Sequence, residues 1–243
     1  ALADAPEEKL LKLWEGLGYY SRVRNMQKAA RVVCETYGGH FPQDAASLEA
    51  LPGIGDYTAG AVASIAFGLP VPAVDGNVLR VAARLCNDDA DIMQPQTKKR
   101  VKAALFEVYH LAEDCSDLPQ ALMELGALVC IPGAPRCTAC PLASICRARA
   151  AGTEGLLPIR LAKKEKKTEK RTMLLIVSNG AVLLVKRPLK GVLAGMYEFP
   201  SLEGHANEKQ VAAALKELGI CEQSQPFTES RHVFTHLIWD MKS

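Results

Sequence analysis

Residues 51–68 read LPGIGDYTAGAVASIAFG. Two glycines, Gly53 and Gly55, stand at a tight turn that leads into a helix from about Tyr57. Glycine lets a backbone approach a ligand closely, and the free N–H groups at a helix start bind phosphate. The competing reading is an ordinary glycine-rich turn between two helices. On both sides the pattern stays helical. Pro6 opens a first helix with Leu10, Leu11, Leu13 and Trp14 on its apolar side, closed by Gly16 and Gly18. Ser21 is read as the cap of a second helix running to Tyr37, and a short helix follows over Ala45 to Leu51. Further helices are expected from about Tyr57, from about Asn77, over Pro95 to Ala112 and over Leu118 to Val129. Strand-like alternation is missing, so residues 1–150 read as an all-helical domain.

The character then changes. Residues 163–171, KKEKKTEKR, carry no apolar side chain and read as a solvated linker or an exposed edge, with a direct DNA contact as the alternative; the linker is taken as 151–171. Beyond it, two apolar runs, Met173 to Val177 and Ala181 to Val185, flank Asn179-Gly180, a strong hairpin signal. A helix over Asn207 to Leu218 and a strand near His232 to Trp239 complete an α+β domain over 172–243. The expected fold class is mainly α, with an incomplete α+β domain behind it, and both ends read as cut.

Composition bounds the function. The chain has 243 residues, 49% hydrophobic and 23% charged, with a formal net charge of +2. That balance fits a folded protein, and a DNA partner would require the basic residues to be clustered. No apolar run approaches the roughly 20 residues of a membrane span, and the acidic, amphipathic start is unlike a secretion signal. The expectation is no membrane partner and an intracellular protein, cytoplasmic in a bacterium, nuclear or mitochondrial in a eukaryote.

Of eight cysteines, Cys34, Cys86, Cys115 and Cys221 are isolated and read as buried or unreactive thiols. Cys130, Cys137, Cys140 and Cys146 fall within 17 positions. Without a secretion signal a disulfide scaffold does not explain them, whereas four thiolates in one loop can hold a zinc ion or a cubane cluster. Zinc ribbons pair two CxxC knuckles, and only one pair is present. Asp75, in VDGNVLR, precedes a helix and is at least an N-cap.

The 6-2-5 cysteine spacing resembles the [4Fe-4S] loop of the endonuclease III and MutY superfamily of DNA glycosylases, and LPGIG-x-x-TA resembles its helix-hairpin-helix. By that resemblance Asp75 is the active-site carboxylate that stabilises an oxocarbenium-like sugar, and Asn77 positions it or a DNA phosphate. The cysteine loop then presents Arg136, Arg147 and Arg149 to the DNA. Where the lyases of the superfamily carry a nucleophilic lysine, this chain has Tyr57, and Leu79 is no lysine either. Residues 14–30, WEGLGYYSRVRNMQKAA, are similar to the MutY-type block, in which Tyr19 wedges into the stack beside 8-oxoguanine while Arg22 and Arg24 meet phosphates. A tyrosine pair packed as core is the alternative. Residues 186–200, KRPLKGVLAGMYEFP, resemble the start of a Nudix domain, but the acidic box of a Nudix hydrolase is missing after Gly204. Phe234-Thr235-His236 stands where the MutY type reads 8-oxoguanine, with threonine in place of serine.

The resemblance implies a monofunctional, monomeric adenine glycosylase with a [4Fe-4S] cluster, acting on double-stranded DNA that pairs adenine with 8-oxoguanine or guanine. It places the acid that protonates adenine N7 on a glutamate in a helix upstream of residue 1, a role that Glu7 and Glu8 do not take. The chain as read is therefore expected to bind the lesion without cleaving. A glycosylase for another mispair or oxidised base is the remaining reading.

Overall fold

The computed structural model describes residues 1–161, 165–221 and 223–243. It divides into two compact units, 1–162 and 163–243.

The first unit is helical: α1 (Glu7–Leu13), α2 (Ser21–Thr36), α3 (Ala45–Glu49), α4 (Asp56–Phe67), α5 (Gly76–Cys86), α6 (Pro95–His110), α7 (Asp117–Glu124) and α8 (Arg147–Ala151). A π-helical turn, Leu125–Val129, extends α7, so the single helix expected over 118–129 changes its winding where it nears α5. Tyr20, not Ser21, caps α2, and Ser21 is its first residue. Leu13, expected on the apolar side of α1, is exposed, whereas Leu10 is buried.

Two apolar clusters hold the helices. Ala29 and Val33 of α2, Leu48 of α3, Leu51, and Ala59 and Ala63 of α4 form one. Val74, Ile92 and the α5 residues Val78, Leu79 and Ala83 form the other, against Leu105, Leu122 and Met123. Burying a leucine as fully as Leu48 contributes about 1.5–3 kcal/mol. At Gly60 a Cβ would stand 2.7 Å from the Pro72 carbonyl oxygen, so glycine there lets α4 touch the chain entering α5.

The second unit contains β1 (Lys167–Met173), β2 (Val177–Ser178), β3 (Ala181–Val182), β4 (Val185–Lys186), β5 (Tyr197–Glu198), β6 (Ser201–Glu203), α9 (Glu208–Glu217), β7 (Glu229–Val233) and β8 (Leu237–Lys242). A four-stranded sheet has the order β6-β1-β8-β7, with β1 parallel to β8 and the other pairs antiparallel. The expected hairpin is present as β2 and β3, turning on Asn179 (φ 50°) and Gly180 (φ 76°). Asn207 and Gln210 cap α9 reciprocally.

Two expectations fail here. Lys167 to Arg171, read as a solvated linker or exposed edge, lie in β1, an inner strand paired on both sides, and of residues 163–171 only 163 and 164 fall outside the described ones. The single strand expected near 232–239 is two strands, joined by a turn at 234–236. Among the described residues no helix is long and apolar enough to cross a membrane.

Candidate DNA-repair site and four-thiol loop

Gly53 has φ +78°, and a Cβ on it would stand 2.5 Å from Asn25 Cβ, so the hairpin packs on α2 only without a side chain. Gly55 differs: it is the extended N-cap of α4, with nothing within 4 Å of where its Cβ would lie. The space above the α4 start is open, and its first-turn acid, Asp56, is held by Lys98 and Lys102.

Asp75 caps α5. Its Oδ1 accepts from the Val78 N–H at 2.8 Å, and its Oδ2 accepts from Asn77 Nδ2 at 3.0 Å. Being a cap and being an oriented carboxylate are thus one geometry, because the cap bond fixes the rotamer that Asn77 then braces. Asp75 and Asn77 are part-buried. Tyr57, 36% exposed on α4, donates to Met123 Sδ at 3.3 Å. Burial raises the pKa of its hydroxyl, and the charge of Asp75 adds to the effect, so the phenol stays protonated.

Behind Asp75 runs a buried relay that the sequence did not reveal. Arg80 is 4% exposed. Its Nη2 donates to Asn77 Oδ1 at 2.8 Å and to the Gly126 carbonyl at 2.6 Å, and its Nε donates to the Cys130 carbonyl at 2.7 Å. Arg84, 2% exposed, donates from Nη1 to the Cys130 carbonyl (3.2 Å), the Cys130 Sγ (3.3 Å) and the Ile131 carbonyl (2.8 Å). Burial lowers the ionisation of Arg80; Cys130 opposes this, and Arg84 and Arg160 reinforce it. The only signal in the sequence was two arginines at i and i+4 in an otherwise apolar helix, VLRVAARLC.

Cys130, Cys137, Cys140 and Cys146 line one cavity with Arg84, Arg136, Arg149 and Glu154. As placed, no three His, Cys, Asp or Glu side chains among the described residues close around a single metal ion. Burial raises the Cys137 thiol, and the charges of Glu154 and the three other cysteines raise it further. The site still fits an anionic metal–thiolate group. Arg84 Nη2 is buried without a partner among the described residues while its Nη1 reaches a cysteine sulfur, and Arg136 and Arg149 add positive charge. Arg136, Arg147 and Arg149 are exposed.

The 14–24 block is fixed by its own polar groups. Trp14 Nε1 donates to the Gly18 carbonyl at 3.0 Å, and Arg22 Nη2 donates to the Leu17 carbonyl at 3.0 Å. Arg22 also lies 5.2 Å from the Trp14 ring centre and 5.8 Å from that of Tyr19. Tyr19 is 68% exposed and holds φ 47°, a left-handed conformation that costs a non-glycine residue about 1–3 kcal/mol. Arg24 is engaged with Glu7 at 2.8 Å. In the second unit Phe234 closes its turn by donating N–H to the Leu237 carbonyl at 2.8 Å. Its ring stands edge-on to His232 (4.4 Å) and Trp239 (4.9 Å), leaving Thr235 and His236 exposed.

Residues 1–110, which hold the glycine hairpin at a helix start and the braced carboxylate, match a known class, the HhH-GPD superfamily of base excision DNA repair proteins, and that part of the chain belongs to it. Residues 172–243 match the NUDIX domain. Among individual relatives it is similar to adenine DNA glycosylases: 37% identical to that of Homo sapiens over 96% of this chain and 51% of the relative. The Arabidopsis thaliana adenine DNA glycosylase is 38% identical over 81% of this chain and 33% of its own length. The chain thus spans about half the length of the human relative, and less of the plant one. A trapped covalent intermediate of endonuclease III with DNA superposes with a TM-score of 0.51 at 31% identity, covering 62% of this chain and 69% of that one.

Proposed function

We propose that this protein is a monofunctional DNA N-glycosylase of base excision repair, hydrolysing the bond between adenine and deoxyribose where adenine is paired with 8-oxoguanine or guanine. The observation that carries the reading is the Asp75 carboxylate, held by the Val78 N–H and Asn77. Cleaving an N-glycosidic bond builds positive charge on the sugar, and a preorganised anion stabilises it. A target base inside the stack is out of reach, so the adenine is flipped out. Tyr57 stands where a lyase would carry an amine, and Leu79 supplies none, so no Schiff base forms and the strand stays intact. Tyr19, Arg22 and Arg24 of the 14–24 block, the Gly53–Gly55 hairpin and the exposed arginines of the thiol loop are assigned to the DNA. Phe234, Thr235 and His236 are assigned to 8-oxoguanine. The resemblance gives protonation of adenine N7 to a glutamate, and Glu7, paired with Arg24, does not take that role.

For the thiol loop, the 6-2-5 spacing and the kinship with the adenine glycosylases support a [4Fe-4S] cluster over zinc, held by Cys130, Cys137, Cys140 and Cys146. When bound, it would shape the loop that meets DNA and supply no chemistry to the broken bond. Arg84 would neutralise part of its charge.

A single-turnover assay on a duplex containing 8-oxoguanine opposite adenine tests the reading. In a form that carries the protonating acid, adenine release without strand cleavage is expected, together with tighter binding than to undamaged duplex. Binding without release would remove the excision half of the reading, and equal binding to both duplexes would remove the recognition half. Stoichiometric zinc in colourless protein would reject the cluster.

A further inference from the structure

After α8 the chain reverses at Gly152, which holds φ +67°, and returns along α5 from its C-terminal end to its N-terminal end. Successive contacts set the register of this strap. Thr153 Oγ1 donates to Asn87 Oδ1 at 2.6 Å, at the C-cap of α5. The buried Leu157 accepts at its carbonyl from Arg84 Nε at 2.9 Å, and the Ile159 carbonyl accepts from the Ile92 N–H at 3.2 Å. The next residue, Arg160, is delivered to the catalytic turn: its Nη2 lies 3.7 Å from where a Cβ on Gly76 would stand.

Arg160 is exposed and near enough to Arg80 to depress that group's ionisation. The two cations differ in one respect. Arg80 spends its donors on Asn77, Gly126 and Cys130, whereas Arg160 has no hydrogen bond or ion pair among the described residues. Asp75 does not absorb it either: its carboxylate oxygens accept from its own turn, and no ion pair joins it to Arg160 among the described residues. Two like charges at one turn, one of them unspent, favour an anion there. The strand whose sugar sits at Asp75 carries a phosphate on each side of that sugar, and an arginine fork fits phosphate oxygens.

We propose that Arg160 grips a DNA phosphate flanking the nucleotide whose base is removed, and that the strap, pinned on Arg84, is the device that holds it there. The proposal rests on the assignment of Asp75 to the target sugar. Because Arg84 also touches Cys130, the thiol loop and this phosphate contact share one anchor.

The test is binding of the 243-residue chain to a duplex carrying 8-oxoguanine opposite a tetrahydrofuran abasic analogue, titrated with salt. Arg160→Gln should weaken binding several-fold, equally for undamaged duplex. It should also lower the slope of log affinity against log salt by about one contact. Arg160→Lys should keep the slope, and unchanged melting temperatures for both variants would show the fold intact. Replacing each phosphate flanking the analogue in turn by a neutral methylphosphonate locates the contact. One replacement should weaken wild type but not Arg160→Gln. An unchanged slope in Arg160→Gln, or equal sensitivity of both proteins to both methylphosphonates, would overturn the proposal while leaving the glycosylase reading in place. Wild-type protein that does not prefer the lesion duplex would overturn that reading, and this proposal with it.

Discussion

In the helical unit Arg80 and Arg84 are nearly inaccessible and between them reach Asn77, Gly126, Cys130, Ile131 and Leu157. In the β-rich unit the strands β2 to β5 are two residues long each, and Leu189 is 84% exposed among other bare apolar side chains such as Leu184 and Tyr197. One unit orients a single carboxylate through buried hydrogen bonds that cannot shift independently. The other presents a turn, 234–236, braced by ring contacts with its polar groups outward. Bond cleavage needs a fixed charge, and lesion reading needs reachable donors, so the chemistry assigned to each unit matches how it is built.

The comparison breaks most visibly at Asp75. Asp75→Asn keeps an N-cap of similar quality, so the melting temperature should hardly move. Adenine release should nevertheless fall about 10²- to 10³-fold, read by single-turnover kinetics in a form that excises adenine. Retained release would refute the role of Asp75. Next comes Arg80→Met, which leaves the buried Gly126 carbonyl and the Asn77 Oδ1 without this donor and the Cys130 carbonyl with Arg84 alone. Each orphaned group costs about 1–3 kcal/mol, so calorimetry should show a clear loss of stability together with reduced metal content. In the exposed turn, Thr235→Ala should change stability little and weaken binding to the 8-oxoguanine duplex by at most about tenfold, with undamaged duplex unaffected. Smallest of all, Arg100→Ala breaks a surface pair with Asp88 and should cost no more than about 1 kcal/mol in a denaturant titration. A large effect there would mean that the surface of the helical unit is as coupled as its interior.

What was legible in the sequence was chemistry that one residue or one short spacing carries alone. Gly53 needs a positive φ and a bare Cα, and the four cysteines announce themselves by spacing. Asp75 was legible twice over, as a cap and as an acid. The Arg80 and Arg84 contacts were hidden because their partners lie 46 to 73 residues away, apart from Asn77. Arg160 was hidden for the same reason, since only the return of the strap brings it to Gly76. Strand β1 was read as a linker or an exposed edge, not as an inner strand, because charge was taken to mean solvent. Arg171 lies 4.3 Å from the Trp239 ring centre and Glu169 accepts from its Nε1 at 3.2 Å, so polar side chains line the buried indole and conceal the alternation.

At Gly126 a Cβ would stand 2.6 Å from Asn77 Cβ, in the turn whose carbonyl also receives Arg80. Any missense change of a glycine codon adds at least one carbon. No coding variant at this position is therefore conservative in the geometric sense, whatever its polarity or charge. A patient-style variant survey that ranked Gly126→Ala as mild, on the ground that alanine is small and helix-friendly, would misjudge it. The added methyl pushes apart the two segments whose contact braces Asn77, and through it the carboxylate.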